Sequence, residues 1–110
     1  MAKKVVEGVG KDAATVVNAK GAKQSATLYR MDLLPALASL QVAAVLKHGA
    51  EKYGDNNWRD LTVEDHLNHA LIHAYAYLAG DRQDDHMGHF ACRAMMALET
   101  TLCDTHTQEK

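Results

Sequence analysis

The sequence is poor in the residues that mark secreted and membrane proteins. Its 110 residues include two cysteines, one proline, one phenylalanine and one tryptophan. Cys92 and Cys103 lie about three turns apart on one predicted helix, so they cannot form a disulfide with each other. No apolar run approaches the length of a membrane span, and the N-terminal segment lacks a signal-peptide core. We therefore expect a soluble, cytoplasmic protein with reduced thiols and no membrane contact.

The sequence also lacks a large excess of either charge. It has 12 basic and 14 acidic residues, for a formal net charge of -2. Nonspecific binding to nucleic acid is driven by a strongly basic surface, so we expect no direct DNA binding. Local basic clusters can still bind a phosphorylated small molecule. The length is that of a single domain with a small core.

Alanine, leucine, methionine and histidine are abundant, and this composition favours helices. The spacing of apolar residues predicts a first helix over about 33–53, with Asp32 as its N-cap and Pro35 in its first turn. Gly54 and the asparagines behind it are typical of a helix end, because these residues tolerate a left-handed conformation. The first helix should therefore stop at Gly54.

Two further helices follow the same logic. Thr62 and Asp65 have the spacing of a capping box and predict a second helix to about Ala79, which Gly80 ends. A third helix should begin near Asp84. The predicted core positions of the second helix are apolar and recur every three or four residues: Leu67, Ala70, Leu71, Ala74, Tyr75 and Leu78. Those of the third are Phe90, Ala91, Ala94, Met95, Leu98 and Leu102.

These elements predict an all-α protein with no useful strand pattern. We expect an N-terminal arm over 1–29, flexible or docked on a partner, a helical domain over 30–103 and a frayed tail over 104–110. Three helices alone form a thin core, so we expect a bundle completed by homo-oligomerisation, as a homodimer or a dimer of dimers.

Histidines are concentrated on the second and third predicted helices. On the second, His66, His69, His73 and Tyr77 share one stripe along the flank of the apolar face; on the third, His86, His89 and Arg93 do the same. Facing stripes, with Asp85 nearby, can bind a divalent metal or phosphate through some of His69, His73, Asp85, His86 and His89. The alternative is that these histidines make ordinary hydrogen bonds between helices.

The turn after the first helix has two interpretations. Trp58 follows two asparagines and precedes Arg59, a grouping that offers a stacking face, carboxamide hydrogen bonds and a cation for phosphate. Trp58 can instead plug one end of the bundle. Glu51 and Lys52 are adjacent and point about 100° apart on a helix, so one of them can face inward.

Several blocks together resemble the dATP/dGTP diphosphohydrolase family, a MazG-like family. The resemblance covers about residues 29–99 and leaves the arm outside it. It rests on these segments: Tyr29-Arg30-Met31-Asp32-Leu33-Leu34-Pro35, Gly49-Ala50-Glu51-Lys52-Tyr53-Gly54, Asn57-Trp58, His73, Gly80, Asp84, and His86-Met87-Gly88-His89 with Ala91 and Ala94. The glycine-rich block combined with the paired histidines is its most specific part.

The resemblance implies a MazG-like helical bundle with a purine deoxynucleotide, dGTP or dATP, as substrate. It is similar to the type carried by phages that replace adenine by 2-aminoadenine, which implies a phage-encoded protein acting in the host cytoplasm. The implied reaction uses Mg²⁺ or Mn²⁺ to cleave the triphosphate into the monophosphate and pyrophosphate, by attack of a metal-activated water on the α-phosphorus.

The implied site residues fall into three groups. The catalytic residues are Glu51 and Lys52. The nucleotide-binding residues are Lys52, Tyr53, Asn57, Trp58, Arg59 and Arg93. The metal ligands are Glu51, His69, His73, Asp84, Asp85, His86 and His89. MazG-like enzymes generally hold metal with an E-x-x-E and a later E-x-x-D, and this chain has neither. A second hypothesis is therefore a non-catalytic protein of the same fold that sequesters a nucleotide.

Overall fold

The computed structural model describes the backbone of residues 6–108 and the side chains of residues 6–104. The chain divides into two compact units, Met1–Leu34 and Pro35–Lys110. The first contains strands β1 (Thr15–Val17) and β2 (Lys23–Ser25), and the second contains helices α1 (Ala36–Tyr53), α2 (Val63–Leu78) and α3 (His86–Gln108). The predicted all-α class is confirmed, since the only sheet in the described residues is this small pair.

The N-terminal unit holds a short antiparallel hairpin that the sequence pattern did not predict. β1 pairs with β2 so that Val16 lies opposite Gln24. The Asn18 carboxamide oxygen accepts hydrogen bonds from the backbone of Lys20 and Ala22, at 2.9 and 3.0 Å, and so organises the turn. Strands of three residues are too short to show an alternating pattern, which is why the sequence did not reveal them.

The predicted start of α1 is also wrong. Pro35, not Asp32, occupies the N-cap position, and Met31–Leu33 forms a separate 3-10 turn. The Asp32 carboxylate instead pairs with the Arg30 guanidinium at 2.8 Å. Leu34 is extended, because a residue before proline is sterically disfavoured in the helical region. A helix therefore cannot run through this position, and α1 begins only after the proline.

The helix ends follow the predicted signals. α1 stops at Gly54, with φ of 98°, and Asn56 is left-handed, with φ of 61°. The capping box of α2 is confirmed, since the Asp65 N–H donates to Thr62 Oγ1 and the Thr62 N–H donates to the Asp65 carboxylate. Gly80 follows the end of α2, with φ of 98°. α3 continues past Asp104 to Gln108, into the segment expected to form a tail.

α3 is the central helix of the second unit, packing mainly on α2 and less extensively on α1. The buried residues among those described are small or polar: Val42, His66, Ala70, His86, Gly88, Cys92 and Ala97. Most predicted core positions are exposed, including Leu71, Leu78 and Leu98. The helical periodicity was correct but the buried face was not. No helix in the described part of the chain has the length and apolar character needed to cross a membrane.

Candidate functional site

A cleft of about 1100 Å³ opens in the second unit, between the C-terminal half of α1, the loop that follows it, and one face of α2 and α3. One wall is the 3-10 turn Asn57–Asp60, here named the Trp58 turn. Most of the site residues predicted from the sequence line this cleft: Glu51, Lys52, Tyr53, Asn57, Trp58, Arg59, His69, His73, His89 and Arg93. Asp84, Asp85 and His86 do not line it.

The Trp58 turn carries both aromatic and polar groups. The Arg59 guanidinium lies over the Trp58 ring, 4.4 Å from its centroid, and also pairs with Glu99 of α3 at 3.7 Å. Within the described residues, the Asn57 carboxamide has no hydrogen-bond partner. The turn therefore presents a free amide beside a ring of which one face is already covered by a cation.

His66 lies behind this wall and is fully buried, with 0% exposure. Its Nε2 lies 3.0 Å from the Trp58 carbonyl oxygen and its Nδ1 lies 3.2 Å from Arg93 Nη1. A carbonyl only accepts and a guanidinium only donates, so these partners assign the neutral tautomer with the proton on Nε2. Burial lowers the pKa of His66, as expected for a ring that stays neutral. The sequence placed His66 on the histidine stripe but gave it no site role.

A second histidine network crosses from α2 to the start of α3. His73 Nδ1 lies 3.0 Å from His86 Nδ1, and His86 Nε2 lies 2.6 Å from Asp81 Oδ2. The His73 ring also stacks on His89, with centroids 4.8 Å apart. Burial lowers the pKa of His73, and the neighbouring histidines lower it further. The hydrogen bond from His86 lowers the pKa of Asp81. This network connects the cleft to the buried His86.

Three residues of this region form a group that can hold a metal ion: Asp81, Asp84 and His86. Their donor atoms lie within 4.8 Å of one another. Asp84 and His86 were predicted as ligands, whereas Asp81 was not. An acid directly behind the helix-ending Gly80 and five residues before a histidine was the available signal for it. No other group of three or more such side chains meets this distance within the described residues.

Asp85 makes hydrogen bonds that stabilise the start of α3. Its carboxylate accepts a hydrogen bond from the Gly88 N–H at 3.0 Å and another from Gln41 Nε2 of α1 at 2.6 Å. These bonds, the Gly88 one first, lower its pKa. The Asp85 carboxylate therefore caps α3 and connects it to α1. Glu51 lies apart from the Asp81 group, with its carboxylate 4.0 Å from His48 Nδ1.

The charges that line the cleft are mostly positive. Lys52 Nζ lies 5.3 Å from the centroid of the Tyr53 ring, and Arg93 makes its one hydrogen bond with His66. Neither cation pairs with a carboxylate among the residues that the structure describes. The acids of the lining are Glu51 and Asp55. Unpaired cations in a concave site favour an anionic ligand.

Comparison with known proteins gives one result. The sequence model of a family described as dATP/dGTP diphosphohydrolase, N-terminal, matches residues 18–110. The match includes β2 of the hairpin, all three helices and every residue of the cleft. No curated protein and no solved structure matches the chain.

Proposed function

We propose that this chain, which belongs to the family described as dATP/dGTP diphosphohydrolase, N-terminal, is a hydrolase of nucleotides. Its substrate is a purine deoxynucleoside triphosphate, dGTP or dATP, and its products are the monophosphate and pyrophosphate. The observation that carries this proposal is the cleft itself, in which Lys52 and Arg93 present cationic groups that pair with no carboxylate of the described residues. A polyanionic triphosphate supplies the negative charge that these groups lack. The guanidinium also matches the geometry of phosphate oxygens.

The Trp58 turn is the proposed wall for the base and sugar. The free Asn57 carboxamide offers one acceptor and two donors to a base edge. Trp58 contributes an aromatic ring to the lining, and Tyr53, at the end of α1, contributes a second. These groups suit a flat, polar ligand such as a purine.

Asp81, Asp84 and His86 fit a divalent metal. Two carboxylates and one imidazole make a mixed oxygen and nitrogen donor set, which suits Mn²⁺ and leaves Mg²⁺ to complete its shell with water. To coordinate an ion through Nε2, His86 would have to give up its hydrogen bond with Asp81 and any proton on that nitrogen. These three residues do not line the cleft, so a divalent ion bound to them would supply positive charge only to phosphate oxygens that reach beyond the lining, and it would make a water bound to it more acidic.

The chain's own residues account for the remaining steps. Glu51 accepts the proton of the attacking water, whose oxygen forms a bond to the α-phosphorus. The bond from that phosphorus to the bridging oxygen breaks, and pyrophosphate leaves with its charge neutralised by Lys52 and Arg93. His73 and His89 form the opposite wall and hold the Asp81 network against the cleft.

A second candidate is a nucleotide-binding protein of the same fold that does not hydrolyse its ligand. It is favoured by the small number of acids in the cleft lining and by the structural use of Asp85. Under this alternative, a nucleotide incubated with the protein and metal is recovered intact after denaturation.

The test is to incubate the protein with each deoxynucleoside triphosphate and Mg²⁺ or Mn²⁺ and to separate the products by chromatography. We expect a purine monophosphate and pyrophosphate in equal amounts. Release of a nucleoside diphosphate and inorganic phosphate contradicts the proposal that the bond at the α-phosphorus is cleaved. Binding without turnover supports the second candidate, and the absence of both turnover and binding rejects both.

We also propose that the chain assembles with copies of itself. On α2, the side chains of Leu71, Tyr75 and Leu78 are 52%, 69% and 76% exposed, although all three are large and mostly apolar. A second copy of the chain would remove this apolar area from water. Sedimentation equilibrium tests this directly. A mass of two or four chains is expected, and a stable monomer at micromolar concentration contradicts it.

A further inference from the structure

We propose that His66 is a positioning residue of the phosphate-binding wall. From behind the cleft it holds the Arg93 guanidinium and the main chain of Trp58 in a fixed relation. The inference rests on the proposed function, because it takes Arg93 to be a ligand of the phosphate chain. It assigns a role to a residue that lies outside the cleft lining.

His66 lies where three elements meet: α2, α3 and the Trp58 turn. The residue belongs to α2, one of its ring nitrogens faces Arg93 of α3, and the other faces the carbonyl of the Trp58 turn. Its complete burial excludes direct contact with a ligand in the cleft. Any effect of His66 on the nucleotide therefore passes through Arg93 or through the Trp58 turn.

To bond to both neighbours, the side chain at position 66 needs a hydrogen-bond acceptor toward Arg93 and a donor toward the Trp58 carbonyl. Neutral imidazole supplies both in a rigid plane. Arg93 makes no other hydrogen bond among the described residues, so the orientation of its guanidinium depends on His66. The other N–H groups of the Arg93 guanidinium stay available for phosphate oxygens, because His66 bonds to this group from the side away from the cleft.

The Trp58 turn has a second attachment that does not involve His66. Arg59 packs on the Trp58 ring and pairs with Glu99 of α3. Loss of the His66 hydrogen bonds should therefore free Arg93 more than it frees the turn. This difference makes the two roles separable by mutation.

The experiment compares four variants by steady-state kinetics with whichever of dGTP and dATP the wild type hydrolyses: His66→Leu, His66→Gln, Arg93→Gln and the double variant His66→Leu with Arg93→Gln. Loss of one charge-assisted hydrogen bond predicts about a 10- to 100-fold rise in KM for Arg93→Gln. His66→Leu should give most of that rise, and the double variant should be no worse than Arg93→Gln alone. His66→Gln should restore most of the affinity, because an amide can both accept from Arg93 and donate to the Trp58 carbonyl.

A merely structural role predicts a different result. It would lower kcat through the fraction of folded enzyme, leave KM unchanged, and multiply with the effect of Arg93→Gln. If the wild type hydrolyses its nucleotide but the losses from His66→Leu and Arg93→Gln multiply in the double variant, the inference is overturned and the proposed function stands. Failure of the wild type to bind or hydrolyse any nucleotide overturns both.

Nitrogen NMR of the His66 ring tests the geometry without relying on activity or on the folding of His66→Leu. The wild type should show the tautomer protonated at Nε2, and Arg93→Gln should shift the Nδ1 resonance as its hydrogen bond is lost. A proton on Nδ1 in the wild type, or an unchanged Nδ1 resonance in Arg93→Gln, overturns the inference.

Discussion

The two faces of α2 differ in burial in the direction opposite to their polarity. On one face, His66 and Ala70 are 0% and 2% exposed against α3. On the other, Leu71, Tyr75 and Leu78 are 52%, 69% and 76% exposed. The polar face carries the hydrogen bonds that organise the cleft, whereas the apolar face has no covering element in the described chain. Here the more polar face of a helix is the one that the single chain buries.

The difference shows that a single chain provides the hydrogen-bond partners of α2 but does not cover its apolar side chains. Hydrogen bonds from His66 and His73 are directional, and α3 and the Trp58 turn supply their partners within the same chain. The hydrophobic effect is non-directional and requires only that apolar area be covered. We infer that the polar face serves nucleotide chemistry and that the apolar face serves assembly.

The largest expected effect comes from Glu51, on the side of the cleft that faces the histidines. Glu51→Gln removes the proposed general base and should lower kcat by about 10²- to 10⁴-fold, without loss of helical circular dichroism. Glu64→Gln, an exposed change outside the cleft lining, is the matched control and should retain activity. A near-normal rate in Glu51→Gln would move the acid and base chemistry to Asp81 and Asp84.

The next effect concerns the apolar face. Leu71→Glu places a charge at an exposed leucine between Leu67 and Tyr75. It should raise the dissociation constant of the assembly by at least about tenfold, because burial of each leucine contributes about 1.5–3 kcal/mol. Asn68→Glu adds the same charge to an exposed position outside the apolar row. If sedimentation shows the two variants to dissociate equally, the apolar face is not the interface.

A smaller effect is expected where α3 begins, beside the histidine network. A Cβ on Gly88 would overlap the Asp85 carboxylate, reaching its Cγ at 2.7 Å, so Gly88→Ala should disrupt this cap. Loss of a helix cap costs about 1 kcal/mol, or about 4–8 °C in Tm. Gly49→Ala meets no atom within 4 Å and lies inside α1, so it should be neutral or slightly stabilising. Equal melting temperatures for the two variants would contradict this account of Gly88.

The smallest effect is the pH dependence of the polar face. The pKa values of His66 and His73 lie below the ordinary 6.5, mainly because the protein shields the buried His66 ring and the partly buried His73 ring from water. The unfolded chain therefore binds more protons than the folded chain as pH falls below about 6.5, and the free energy of unfolding should decrease there. The decrease should stop once pH passes below the folded pKa values.

Denaturant unfolding at about pH 7.5 and about pH 5.5 measures this dependence. His66→Gln removes one of the two titrating rings and should reduce the slope. A free energy of unfolding that rises as pH falls over this range would contradict the burial of the two neutral histidines.

Local signals in the sequence predicted much of the fold. Gly54, Asn56 and Gly80 act through their own backbone conformation, and the Thr62 and Asp65 capping box spans a single turn. Such features depend on neighbours in sequence, so spacing alone reveals them. The start of α1 was misplaced because the effect of Pro35 on Leu34 outweighed the capping preference of Asp32.

The buried face and the histidine contacts depend on long-range geometry that spacing does not contain. Periodicity placed Ala70, Leu71 and Tyr75 in the core, but only Ala70 is buried, and the histidines His66 and His73 make the contacts with α3. The grouping of many predicted site residues around one cleft followed the resemblance to the family. Asp81 was missed because its relation to His86 requires the turn between α2 and α3.

The most direct test of the central claim is hydrolysis of dGTP in ¹⁸O-labelled water, with the products analysed by mass spectrometry. Attack of water on the α-phosphorus in the cleft places the label in deoxyguanosine monophosphate and leaves pyrophosphate unlabelled. Label in pyrophosphate or release of inorganic phosphate would contradict the account, and so would recovery of both dGTP and dATP intact in parallel reactions.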